Sequence, residues 1–203
     1  MPLCKLCFKE IRKSSIKHLL MPSLSLCENC YKDMHPHFDK FEVLGYSAIA
    51  IYHYDEAIKS RLYQFKGCFD IEINMIFLDR FALYYRLKFY DYVVIPAPSY
   101  IEDDERRGFN HVVEIFKNLK LPIVNLFVKT EHHKQADLGL EGRREIKKYI
   151  EVRSGIDIRN KKVLLVDDVF TTGSTMKTMI GLVEKMHPKD IKILVMSKTQ
   201  HYQ

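Results

Sequence analysis

The 203-residue chain has no tryptophan, so its 12 Tyr and 12 Phe must supply the aromatic weight of any core. It has no apolar run fit to cross a bilayer. The longest hydrophobic stretch, about Ile71 to Tyr92, is interrupted by Glu72, Asp79, Arg80, Arg86 and Lys88, which excludes a spanning helix. Met1 to Cys7 carries no apolar core of the kind a secretory signal needs, and a cytoplasmic location is expected. Internal repeats, low-complexity tracts and long linkers are also lacking, which excludes solenoids and largely disordered chains. Neither charge is in large excess, with 32 Lys and Arg against 26 Asp and Glu and a net charge of +6. That balance suits phosphorylated ligands or nucleic acid and demands neither. The length fits one α/β domain plus a small appendage.

What is present is concentrated in VLLVDDVFTTGST, Val163 to Thr175. Val163 to Val166 reads as a buried parallel strand and is followed by Asp167 and Asp168. Thr171, Thr172, Gly173, Ser174 and Thr175 then form a small-residue loop. A helix begins directly after it, with apolar positions at Met176, Met179, Ile180 and Val183. Backbone N–H groups at a helix N-terminus attract phosphate. Carboxylates repel phosphate but accept hydrogen bonds from vicinal hydroxyls, as on a ribose. The plainer alternative is a strand–turn–helix whose acids cap the helix. Over these 13 positions the stretch resembles the 5-phosphoribosyl 1-pyrophosphate (PRPP) motif of type I phosphoribosyltransferases. The resemblance implies that Asp167 and Asp168 contact the ribose hydroxyls and take part in catalysis. It also implies that Thr171 to Thr175 wraps the 5′-phosphate and that Mg²⁺ accompanies PRPP.

Four of the five cysteines fall into pattern. Cys4 and Cys7 form one CxxC pair, Cys27 and Cys30 another, with 19 residues between the pairs. This is zinc-module spacing, and four thiolates fill a tetrahedral Zn²⁺ without an open position, so the metal is structural. A segment of roughly 35 residues builds little core alone and needs the folding energy of metal. Disulfides do not suit a reducing compartment, and redox CxxC chemistry suits a helix start in a βαβ unit. Cys68 is expected as a buried apolar residue.

The chain is expected to divide into a zinc module at 1–38 and a phosphoribosyltransferase-like domain at 39–203. Gly45 to His53 reads as a strand, Asp55 as the cap of a helix through Gln64, and Ile71 to Phe89 as one long helix. Tyr92 to Ile95, Ile123 to Val128, Val163 to Val166 and Ile191 to Met196 read as further strands, and Asn110 to Leu119 as a helix. Alternating strands and helices predict a doubly wound parallel sheet with ligands at the strands' carboxyl ends. Lys66-Gly67 closes the first helix. It reads either as a plain cap or, by the same resemblance, as the loop that binds the pyrophosphate of PRPP. Ser99 to Glu105 is expected to be an exposed loop, and the resemblance to type I phosphoribosyltransferases implies that Arg106 and Arg107 lie in a flexible segment that closes over the site.

An N-terminal double CxxC ahead of the PRPP motif resembles the ComF family of competence proteins. So do LYQFKG (Leu62 to Gly67), VVIPAP (Val93 to Pro98) and RRGFNH (Arg106 to His111). The family has Gln where this chain has His111, and Asn where it has Ile146. The resemblance implies a role in natural transformation, with PRPP, single-stranded DNA and DNA-uptake or recombination proteins as partners. A basic group of Lys129, Lys134, Arg143, Arg144, Lys147 and Lys148 is a candidate nucleic-acid contact, although each residue alone also reads as a solvated face. Two functions stay open: a PRPP-binding protein of DNA uptake, and a phosphoribosyltransferase acting on an unidentified acceptor.

Overall fold

The computed structural model describes residues 2–11, 25–130 and 149–199. A short helix, α1 (Glu28–Lys32), follows the second cysteine pair, and the chain then turns into strand β1 (Pro36–Val43). β1 pairs antiparallel with β2 (Tyr46–His53). Leu44 and Gly45 join them at φ 51° and 81°, the double positive φ of a tight hairpin turn. β1 was not foreseen. Its charged and aromatic residues cover a sheet edge, and the boundary drawn after residue 38 falls inside it. Helix α2 (Glu56–Leu62) starts as expected, with Asp55 Oδ1 accepting from Ile58 N–H at 2.9 Å. It passes into a π-helical turn, Tyr63–Gly67.

The expected long helix at Ile71 to Phe89 is broken. Ile71–Phe77 winds as a 3₁₀ helix, and α3 covers only Ala82–Lys88. The buried residues Ile73 and Ile76, and Asn74 and Phe77, are pairs three apart, which eclipse on a three-residue winding. β3 (Tyr92–Pro96) matches expectation. The segment expected as an exposed loop is instead helix α4 (Ile101–Arg107), ended by Gly108 at φ 77°. Glu102, Asp103 and Asp104 occupy its first turn and Arg106 and Arg107 its last, the order that suits the helix dipole. α5 (His111–Phe116) is capped by Asn110, which accepts from Val113 N–H at 2.9 Å. The strand expected at Ile123 to Val128 is displaced. Ile123 makes one parallel bridge to Val94, and β4 (Phe127–Thr130) leaves to pair with β5 (Tyr149–Val152).

The main sheet runs β1-β2-β7-β6-β3, with β6 at Lys162–Phe170 and β7 at Asp190–Lys198. β2, β7, β6 and β3 are mutually parallel and only the β1 edge is antiparallel. In β6, Leu164 and Val166 face a core shared with α2, the 3₁₀ helix and α5. Val163 and Leu165 face a second core with Met176, Met179, Ile180 and Val183 of helix α6 (Ser174–Glu184). Burial on both faces explains the continuous apolar run of this strand. No helix among the described residues is long and apolar enough to cross a membrane.

Candidate functional site

Pairing of β3 with β6 stops at Pro96 and Val166, whereas β6 continues beside β7 to Phe170. Asp167 and Asp168 therefore lie where the neighbouring strand has ended, at the carboxyl side of the sheet. They sit within β6, which runs four residues beyond the expected Val166. Asp168 N–H donates to Asp167 Oδ1, and Val169 N–H to Asp168 Oδ1, each at 2.8 Å. The other oxygen of Asp168, Oδ2, receives Lys66 Nζ at 2.7 Å and lies 3.3 Å from His111 Nε2. The π-helical turn thus delivers Lys66 to the acids. Gly67 is not in the left-handed conformation of a helix cap, since it is not among the positive-φ residues. It is small because the Tyr63 ring lies over it, and an added Cβ would meet that ring at 2.9 Å.

Past β6, the loop through Thr171 and Thr172 reaches Gly173 at φ 72°, the N-cap of α6. Gly173 has no side chain to cap the helix, and of the first N–H groups Ser174 N–H donates to Thr172 Oγ1 at a long 3.4 Å. Thr175 lies on a cavity of ≈ 320 Å³ together with Lys66, Pro98, Ser99, Asp103, Arg107, His111, Lys129, Asp167 and Asp168. The fold thus gathers Lys66, both acids and Thr175 of the expected ligand set on one cavity. Thr171, Thr172 and Ser174 stand exposed, next to it in sequence. Of the two arginines expected in a flexible segment, Arg107 is buried at the cavity wall and Arg106 points outward to Asp103. Cys68, expected inside, is exposed.

His111 was read only as a departure from the family pattern, yet its ring touches Asp168. The available signal was local: Arg107 and His111 are four apart around Gly108. Nothing in the sequence places that corner against β6, 57 residues later.

The two carboxyls differ in their electrostatics. Burial and the adjacent Asp168 charge push the Asp167 carboxyl well above the usual carboxylate range. Burial opposes ionisation of Asp168 as well, but the His111 hydrogen bond and the Lys66 ammonium outweigh it and hold Asp168 well below that range.

Near the N-terminus the Sγ atoms of Cys4, Cys7, Cys27 and Cys30 lie within 4.8 Å of one another, with Cys7 and Cys27 at 3.6 Å. Zn–S bonds of about 2.3 Å require edges of roughly 3.8 Å, so the cluster fits one tetrahedral ion with slight closure. Burial raises the Cys4 thiol, but N–H donors from Cys27, Cys7 and Leu6 outweigh it and bring it to about 6. Burial and the neighbouring cysteine sulfurs push Cys30 far up, so four thiolates need a cation among them. Of the basic group, Lys129 lies on the acid-bearing cavity, 4.1 Å above the Tyr100 ring. Lys134, Arg143, Arg144, Lys147 and Lys148 lie outside the described residues.

Residues 105–203 match the phosphoribosyl transferase domain model. Competence protein ComFC of Streptococcus pneumoniae (strain ATCC BAA-255 / R6) is 27% identical over 191 residues, 93% of this chain and 83% of that protein. Competence protein F of Haemophilus influenzae (strain ATCC 51907 / DSM 11121 / KW20 / Rd) is 29% identical over 182 residues, 82% and 76% respectively. A hypoxanthine phosphoribosyltransferase of Staphylococcus aureus overlaps 62% of each chain at 15% identity and a TM-score of 0.41. The domain match takes in the paired-acid strand and the competence proteins align along most of the chain, so this protein is similar over most of its length to the competence proteins of the ComF family, with a phosphoribosyltransferase-type domain behind a four-cysteine module.

Proposed function

We propose that the chain binds PRPP in the cavity at the ends of β3 and β6, and that it acts in competence, in the handling of DNA taken up during natural transformation. The observation that carries this reading is the convergence on one cavity of two adjoining carboxylates, a lysine and a helix start whose N-cap is a glycine. In it, Asp167 and Asp168 accept from the ribose hydroxyls, Thr171 to Thr175 and the α6 N–H groups hold the 5′-phosphate, and Lys66-Gly67 meets the pyrophosphate. Mg²⁺ travels with the diphosphate, and structural Zn²⁺ occupies the four cysteines. The competence role is supported by the relatives, which are competence proteins of Streptococcus pneumoniae and Haemophilus influenzae.

PRPP with Mg²⁺ is expected to raise the melting temperature, and the joint substitution Asp167→Ala and Asp168→Ala to abolish the rise. A rise that survives in the double variant removes the acids from the site. Pyrophosphate release in the same samples, dependent on one added base or nucleic acid, would mark a transferase. The split between the two carboxyls favours keeping that second reading, because it supplies one ionised acid beside one that holds a proton more readily. Single-stranded DNA is the partner proposed for the basic residues. Its affinity is expected to fall steeply with salt, and to weaken when Arg143, Arg144, Lys147 and Lys148 are neutralised. Salt-independent binding would remove the backbone contact from the account.

A further inference from the structure

Asp168 Oδ2 is shared by two donors of unequal freedom. The Lys66 side chain is 36% exposed, whereas His111 is 12% exposed and Arg107 behind it 8%. The Arg107 guanidinium lies 3.1 Å from His111 Nδ1. A guanidinium only donates, so Nδ1 must accept. The ring is then neutral, with its proton on Nε2, the nitrogen that faces Asp168 at 3.3 Å. Arg107 is itself pinned. Its Nε donates to the Asp103 carbonyl at 2.9 Å and a terminal nitrogen to Asp104 Oδ1 at 3.2 Å. Asp104 Oδ2 is held in turn by Asn110 Nδ2 at 2.8 Å and by Ser99 Oγ. A fixed line of hydrogen bonds therefore runs from the α4–α5 corner to the His111 ring, whose Nε2 lies 3.3 Å from the acid in β6, and the lysine on the other side is the more exposed of the two partners.

We propose that His111 is a positioning residue for the hydroxyl-binding carboxylate. Set in one tautomer by Arg107, it keeps a permanent donor on Asp168 Oδ2, while Lys66 leaves that oxygen for the ligand's diphosphate and the ribose hydroxyls take its place. The proposal rests on the PRPP reading above. It explains how a buried carboxylate stays ionised and aimed when its ammonium partner departs, since an ionised acid without a donor is costly in such a site. A neutral imidazole does this without adding a charge to compete with the lysine's move.

The test uses the full chain, with affinities for Mg²⁺–PRPP and for Mg²⁺–pyrophosphate measured by titration calorimetry. Loss of a hydrogen bond to a charged group weakens binding roughly ten- to a hundred-fold, and His111→Leu is expected to lose that much for PRPP. Affinity for inorganic pyrophosphate, which has no hydroxyls to place on Asp168, is expected to stay near that of the wild type. Lys66→Met is expected to weaken both ligands. His111→Gln is expected to recover most of the PRPP affinity, because an amide can donate to Asp168 and accept from Arg107. In ¹⁵N spectra, His111 of the ligand-free wild type is expected to be protonated at Nε2, a preference that Arg107→Ala removes. Protonation at Nδ1 in the wild type, or equal losses of both ligands in His111→Leu, overturns the proposal. A wild-type chain that binds no PRPP overturns the pocket reading and this proposal with it. A wild type that binds PRPP beside a His111→Leu variant of equal affinity overturns this proposal alone.

Discussion

Asp167 and Asp168 are adjacent in sequence and opposite in electrostatic circumstance. Asp168, held low by His111 and Lys66 against its burial, contributes stability that is present above its ordinary carboxylate range and is lost as pH falls toward its depressed value. Asp167, held high by burial and by the Asp168 charge, contributes in the other sense. Its share is present below the ordinary range and is lost as pH rises through its raised value, so at neutral pH this buried acid costs the fold stability. Asp167→Asn is therefore expected to raise the melting temperature at neutral pH, with the gain fading in mild acid. Asp168→Asn is expected to lower it, by the equivalent of roughly 1–3 kcal/mol, because Lys66 loses its ion-pair partner and one amide oxygen cannot serve both Val169 N–H and the Lys66–His111 side. Thermal melts of both variants at neutral and mildly acidic pH check this, and a neutral-pH loss in Asp167→Asn would refute it. The acids themselves were legible in the sequence, because two carboxylates ending an apolar strand have few structural uses. Their division of labour was not, because its causes lie on the π-helical turn at Lys66 and the α5 start at His111.

Element boundaries followed local chemistry where that chemistry was strong. Asp55 caps the helix it was expected to cap, α5 starts beside Asn110 where a helix was expected to begin, and the apolar spacing of α6 places Met176, Met179, Ile180 and Val183 inward. They failed where tertiary burial overruled period. The stretch Ile71 to Phe89 has helical composition, but burial of Ile73, Asn74, Ile76 and Phe77 tightens its first half into a 3₁₀ winding. Ser99 to Glu105 looked like a loop because it is acidic, and those acids instead serve the N-terminus of α4. The loop before α6 offers a test at this scale. Gly173 and Gly108 share a left-handed φ of 72° and 77°, but a Cβ on Gly173 would meet Phe170 Cζ at 2.6 Å, while one on Gly108 meets nothing within 4 Å. Gly108→Ala is expected to cost only the left-handed penalty of about 1–2 kcal/mol. Gly173→Ala should cost more by chemical denaturation and should also weaken PRPP binding, since Phe170 is buried and must shift. Equal costs would show that the Phe170 contact does not matter.

At the scale of the whole molecule, the cysteine module is built into the domain's core. Cys4, Ile11, Leu26 and Met34 are buried in the same cluster as Phe65, Phe77, Leu164 and Val166. Ser25 Oγ donates to Asp79 at 2.9 Å, the Arg80 guanidinium lies 3.8 Å over the Tyr31 ring, and Lys5 pairs with Glu72 at 2.8 Å. All three partners on the domain side belong to the segment that runs between the Lys66 turn and α3. Metal removal is therefore expected to lower the main unfolding transition of the entire chain, by roughly 10 °C, rather than to melt an independent module. Scanning calorimetry with and without a zinc chelator checks this, and an unmoved main transition would separate the two parts. By itself the sequence determined the alternating α/β architecture, the paired-acid strand with its helix-start loop, and the four-cysteine set, because each is written in residues close along the chain. Only the tertiary structure decided that Lys66 and His111 meet on one carboxylate oxygen, that Arg107 sets the tautomer of His111, and that the cysteine module shares the domain's core. Those contacts join residues far apart in sequence, and their geometry comes from packing rather than from any local pattern.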